Sequence, residues 1–118
     1  MTEKKIIIAG QEVGVKYCFA TEIGFRDLTG ITVDEFDFKN PSQAAAFIMS
    51  AIIAYYQSRS LDAPLDISAI IYGSKPKEIV DALNTIYSLS SEWYAGESGA
   101  REKDNLTNEE KGELKKNA

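Results

Sequence analysis

The run Ala44–Tyr56 constrains the fold of this chain more than any other segment, because Ser50 is its only residue that is neither apolar nor aromatic. Asn40 and Pro41 precede the run, and they are respectively a good helix N-cap and the residue preferred at the first helical position. We therefore predict a helix that is apolar on both sides, with the larger side chains Phe47, Ile48, Ile52, Tyr55 on one face and Met49, Ile53, Tyr56 on the other. Such a helix lies at the centre of a fold or is covered by a partner. The sequence leaves both possibilities open.

The residues before this run predict a β-hairpin and a short helix. Ile6–Ile8 is β-branched, and Gly10 and Gln11 suit a two-residue turn with glycine first. The return strand alternates and puts four apolar side chains on one face, namely Val13, Val15, Tyr17 and Phe19. Thr21 is a suitable N-cap for the helix that follows, and Gly30 is placed to end it.

The residues around and after the apolar run predict shorter helical pieces and one long helix. Thr32 and Glu35 have capping-box spacing, which predicts at most one helical turn in 32–39. A short helix is expected at Ile67–Tyr72, ending at Gly73. The last helix is expected to begin with Ser74 as its N-cap and to bury an apolar stripe of Ile79, Val80, Leu83, Ile86, Tyr87, Trp93 and Tyr94.

These elements predict an α+β fold that is mostly α, with an N-terminal β-hairpin packed on a small bundle of three to four helices. Residues 1–95 form a single globular domain in this prediction. Residues 96–118 contain no aromatic or β-branched aliphatic side chain. They cannot bury enough apolar surface to offset chain entropy, so they are predicted to be a flexible, disordered C-terminal tail.

Charge and hydropathy exclude several classes of partner. The net charge of −5 opposes the phosphate contacts that give nucleic-acid binders most of their affinity, and it also opposes anionic membranes. No apolar stretch reaches the ~18 residues that a membrane span requires. We therefore expect a cytoplasmic protein that binds neither nucleic acid nor membrane.

The sequence carries no recognisable catalytic or metal-binding motif. Histidine is absent, Cys18 is the only cysteine, and no glycine-rich phosphate loop occurs. The carboxylates at 34–37 and at 62–66 lack the spacing of a calcium loop and are interpreted as solvated loop residues. We expect no catalytic residue, no metal and no cofactor, and hence a protein that acts by contact. The candidate partner-binding residues are Phe47, Ile48, Ile52, Ile53, Tyr55, Tyr56, Trp93 and Tyr94.

The organisation of Lys4–Tyr94 resembles that of the tail assembly chaperones of long-tailed bacteriophages and prophages. The resemblance consists of an opening hairpin (KKIIIAGQEVGVKYCF), a short helix ending in Thr29-Gly30, the apolar helix, a polar loop, a second amphipathic helix and a charged tail. It implies a non-enzymatic chaperone whose partners are the tape measure protein and tail tube subunits during tail assembly in the host cytoplasm. The resemblance also implies that the protein is absent from the finished virion. Homo-oligomers are a separate expectation, which follows if one face of the apolar helix is left for self-association.

Two other functions fit the same sequence. One is a structural head–tail connector or tail completion protein, which would persist in purified particles. The other is a bacterial adaptor or antitoxin-like protein-binding module, whose gene would not lie between a tail tube gene and a long tape measure gene.

Overall fold

The structure, a computed structural model, describes residues 2–102. It describes the side-chain surroundings of residues 2–96. A two-stranded antiparallel hairpin is followed by four helices, which confirms the predicted fold class. The elements are β1 Glu3–Ile8, β2 Gln11–Lys16, α1 Phe19–Thr29, a 3-10 turn Val33–Glu35, α2 Pro41–Gln57, α3 Ile67–Gly73 and α4 Pro76–Glu102. None of the helices described is long and apolar enough to cross a membrane.

The hairpin turn is Ala9-Gly10, one residue earlier than predicted. Ile8 pairs with Gln11, and the two turn residues have φ values of 51° and 78°. Positive φ at both central positions gives a turn whose twist matches that of the strands, and glycine at the second position adopts it without strain. The face of the hairpin that packs on the helices carries the buried side chains Ile6, Ile8, Val13 and Val15.

Helix α1 begins at Phe19 with Cys18 as its N-cap, so the prediction of Thr21 as N-cap is wrong. Thr21 is instead the third helical residue. Its buried hydroxyl accepts the N–H of Cys18 at 3.2 Å and donates to the carbonyl of Lys16 at 2.7 Å. Phe19 therefore belongs to the helix, and the predicted alternation of strand β2 does not extend to it. Gly30 ends the helix with a φ of 81°, as predicted.

Helix α2 is the centre of the molecule. The side chain of Asn40 accepts the N–H groups of Ser42 and Gln43 at 3.0 and 3.2 Å, which confirms the predicted cap. Every residue of Ala44–Ile52 is buried, because α1, α3, α4 and strand β2 all pack against α2. The one polar side chain of this stretch, Ser50, donates to the carbonyl of Ala46 at 2.7 Å and is thereby satisfied.

The bounds of the last two helices differ slightly from the prediction. Asp66 caps α3, which extends through Gly73. Helix α4 begins at Pro76, and Ser74 is not its cap. The predicted boundary between domain and tail at Gly96 falls inside α4, and residues 103–118 of the predicted tail lie outside the described residues.

The α3–α4 junction holds the hairpin turn. The hydroxyl of Ser74 accepts the N–H of Ala9 at 3.2 Å. The carboxylate of Glu78 accepts the N–H of Gly10 at 3.0 Å through one oxygen and that of Lys75 at 2.8 Å through the other. These hydrogen bonds lower the pKa of Glu78 from its ordinary value, the bond from Lys75 being the largest cause. The junction thus fixes the turn by contacts between residues far apart in sequence.

Candidate functional site

Three of the eight candidate partner-binding residues lie in the core. The side chains of Phe47, Ile48 and Ile52 are 2%, 0% and 0% exposed. A partner cannot reach them without opening the fold, because α1, α3, α4 and β2 pack against this part of α2. Of the two possibilities that the sequence left open, the internal helix is the one that describes these three residues.

Tyr55 and Tyr56 hold the hairpin. The hydroxyl of Tyr56 accepts the N–H of Gly14 at 3.1 Å, and this N–H lies on the outer edge of β2. The ring of Tyr55 covers Gly14, and the guanidinium of Arg59 stacks on that ring 3.7 Å from its centroid. Both tyrosines are only partly exposed. Their contacts show that they stabilise the fold.

A salt-bridge network closes the open end of the hairpin beside these tyrosines. Glu3 pairs with Arg59 at 2.8 Å and with Lys16 at 3.0 Å. The hydrogen bond from Arg59, followed by that from Lys16, lowers the pKa of Glu3 to about 2. The carboxylate is therefore charged at every physiological pH, and this network links both strands to Arg59, which lies two residues beyond the end of α2.

Trp93 and Tyr94 join the end of β2 to α1. The ring of Trp93 lies 5.5 Å from that of Tyr17 and stacks at 6.5 Å on that of Phe19 (centroid distances). The carboxylate of Glu22 accepts hydrogen bonds from the hydroxyls of Tyr17, at 2.6 Å, and of Tyr94. Burial, together with the bond to Glu22, raises the pKa of Tyr17 and raises that of Tyr94 to about 12. Both phenols stay protonated as donors, while the body of Tyr94 remains 54% exposed.

The most exposed apolar side chains near these residues belong to α1. Phe19 is 66% exposed, Ile23 53% and Leu28 47%. Phe19 and Ile23 are four residues apart and so share the outer face of the helix, whereas Thr21 and Phe25 face the core. The sequence predicts Phe19 as a strand residue, which hides the spacing of Phe19 and Ile23 on one helix face. With Cys18 as the N-cap, the same spacing indicates an apolar outer face of α1.

We define the α1 surface as Phe19, Ile23 and Leu28 together with Ile53 of α2 and Tyr94 of α4. Ile23 forms a ridge between two shallow depressions, since it lines both. One depression lies between α1, Tyr94 and the 3-10 turn. The other lies between α1 and the C-terminal half of α2, where Ile53 and Leu28 are its larger apolar side chains. Two of the eight candidate residues, Ile53 and Tyr94, thus border the same surface.

The rim of the α1 surface is acidic. Glu22, Asp27 and Asp34 line the first depression, with Arg26 as the one basic residue among its lining side chains. Asp27 also lines the second depression. Three carboxylates against one guanidinium leave a negative border around an apolar ridge.

The described part of the chain contains no group of three or more cysteine, aspartate or glutamate side chains placed to hold a metal ion. Cys18 is a free, partly buried thiol at the start of α1. The carboxylates near 34–37 serve local structure: Glu35 accepts the N–H of Thr32 at 3.1 Å in the predicted capping box, and Asp37 accepts that of Lys39 at 3.0 Å.

No protein-family model, curated protein or solved structure matches this chain.

Proposed function

We propose that this chain is a non-enzymatic protein-binding protein that uses the α1 surface to hold another polypeptide. The observation that carries the proposal is the group of exposed apolar side chains on one side of the fold, Phe19, Ile23, Leu28 and Tyr94. These side chains lie on α1 and α4, which both pack on α2. Contiguous exposed apolar side chains rimmed by polar ones are typical of protein interaction sites.

The biological role that we propose is that of a tail assembly chaperone of a long-tailed bacteriophage or prophage. Its partners would be the tape measure protein and tail tube subunits, bound in the host cytoplasm and released before the virion is complete. The resemblance in the order of elements supports this role. The acidic net charge of −5 also supports it, since an acidic protein that covers apolar client segments would keep the complex soluble.

Co-expression with the tail tube and tape measure proteins encoded in the same genome tests the role. We expect the chain to co-purify with at least one of them and to raise the soluble fraction of the tape measure protein. The variant Ile23→Asp should reduce this recovery at least tenfold. Val80→Asp is the matched control, because Val80 is also about half exposed but lies fourteen residues before Tyr94 on α4, about 21 Å along the helix.

Mass spectrometry of purified virions provides the second arm of the test. A chaperone should be missing from the particles, whereas a connector or tail completion protein would be present in stoichiometric amounts. The chaperone proposal is overturned if the chain persists in virions, if no tail protein co-purifies with it, or if its gene lies among genes unrelated to phage tails.

A further inference from the structure

We propose that the occupant of the α1 surface is an amphipathic helix whose apolar face is flanked by lysine or arginine. The inference deepens the proposed function and rests on its first part, that this surface binds polypeptide. It names the chemistry of the bound segment, which that function leaves open.

The shape of the surface favours a helical occupant. Helix α1 has 11 residues and is about 16 Å long, and its outer ridge is bordered along its length by a depression on each side. The second depression has Ala20 and Gly24 on its α1 side and Ala54 and Ser58 on its α2 side. Small side chains allow a second helix to approach, and Ile53 and Leu28 supply the apolar contact. A helix lying there would pack ridge into groove against α1 and α2.

The acidic rim of the α1 surface determines which charged residues are favoured beside the apolar face of the bound helix. Glu22, Asp27 and Asp34 stand around Ile23, and Arg26 offsets only one of them. The hydroxyls that hydrogen-bond Glu22 leave its negative charge in place. Lysine or arginine beside the apolar face of a bound helix would pair with these carboxylates, whereas glutamate or aspartate there would be repelled. Nucleic acid and anionic membranes are disfavoured at this surface for the same reason.

The same charges argue against a second copy of the chain as the occupant. A two-fold dimer apposes the same patch of both subunits. Such a dimer centred on Ile23 would bring the acidic rim of one protomer against that of the other. The repulsion between three carboxylates on each side is offset by only one arginine each.

Two synthetic 21-residue peptides probe the inference with the full-length chain. Both carry leucines at i, i+3, i+4 and i+7 spacing and no tryptophan, and they differ only in having lysines or glutamates beside the apolar face. Trp93, the only tryptophan of the chain, contacts the rings of Phe19 and Tyr94, so its fluorescence reports on the α1 surface. Calorimetry gives the dissociation constants.

We expect the lysine peptide to bind at least tenfold more tightly than the glutamate peptide at low ionic strength. Because the rim charges are exposed, salt should reduce this preference. Ile23→Asp should abolish binding of both peptides, and Val80→Asp should leave the dissociation constants within twofold. The isosteric double variant Asp27→Asn with Asp34→Asn should bring the two peptides within about threefold of each other. Circular dichroism melts verify that each variant is folded.

The outcomes separate the two proposals. If neither peptide binds, or if the glutamate peptide binds equally well, the occupant proposed here is wrong, even where a tail protein still co-purifies in an Ile23-dependent manner. If the lysine peptide binds as expected but no tail protein co-purifies, the inference stands and the chaperone role fails. If light scattering shows a dimer that Ile23→Asp converts to a monomer, the occupant is a second copy and the inference is overturned.

Discussion

Replacing Gly14 by alanine tests how the hairpin is held against α2. A Cβ atom at this position would lie 2.5 Å from Cδ1 of Tyr55 and closer still to Cε1 and Cζ of the same ring. No side chain tolerates such a distance, so the ring must move, and it would lose its stacking with Arg59. Tyr56 also binds the N–H of Gly14, which limits how far strand and helix can separate.

The expected magnitude follows from two opposing effects. Overpacking of this kind costs about 1–3 kcal/mol. Alanine in place of glycine in a strand contributes about 0.5–1 kcal/mol in the opposite direction. We therefore expect Gly14→Ala to lower the free energy of unfolding by about 1–2 kcal/mol. In a Tyr55→Ala background the clash disappears, and the same substitution should stabilise the protein by about 0.5 kcal/mol.

Urea unfolding followed by Trp93 fluorescence and far-ultraviolet circular dichroism measures all four members of this cycle. Gly24→Ala is the matched control, because a Cβ atom there would meet Ser50 at an ordinary 3.5 Å and alanine favours the helix. The control should be neutral or stabilising. If Gly14→Ala were neutral in both backgrounds, with no coupling to Tyr55, the packing described for this strand and α2 would be incorrect.

Three further predictions concern Glu3, the neighbouring pair Ile52 and Ile53, and Asn40. Glu3→Gln should cost about 1 kcal/mol at pH 7, a surface value. Arg59 holds the pKa of Glu3 in the folded protein at about 2, below its ordinary value of 4.5. The contribution is therefore present above pH 4.5 and is lost as the pH falls towards 2, where the urea unfolding curves of the two proteins should converge. Ile52→Asp should remove more than about 4 kcal/mol and leave no cooperative thermal transition, since a carboxylate would be buried unpaired. The neighbouring Ile53→Asp, at a partly exposed position, should cost only about 1–2 kcal/mol by the same melts, and equal effects at the two sites would contradict the burial described. Asn40→Ala should lower stability by about 1 kcal/mol through loss of the α2 cap, whereas Asn40→Asp should preserve most of it in urea titrations.

The α1 surface shows why the candidate site could be predicted only in part. Ile53 and Tyr94 were singled out as apolar or aromatic residues, and both border the surface. Phe47 and Ile52 were singled out for the same property, and both are in the core. Hydrophobicity identifies side chains that will be covered or will make contact. Hydrophobicity does not distinguish a core side chain from one that contacts a partner, because burial depends on how many other elements pack on a given side of the helix.

Local physical chemistry, readable from the sequence, determined the type and order of the elements. The Asn40 cap, the proline after it, the capping box of Thr32 and Glu35, and Gly30 at a helix end each act through residues within a few positions of one another. For this reason the hairpin, the central helix and the long last helix could be predicted with bounds close to those observed.

Only the tertiary structure decided the register of the hairpin and the exposure of α1. A turn at Ala9-Gly10 and one at Gly10-Gln11 place the same apolar residues on one face, so alternation cannot choose between them. The choice is made by Ser74 and Glu78, which bind the turn N–H groups from 65 and 68 residues away. In the same way, Phe19 lies outside because Thr21 is tied to the end of β2 and α2 occupies the other side of the helix. Contacts between distant residues form only once the chain is folded, and no local pattern encodes them.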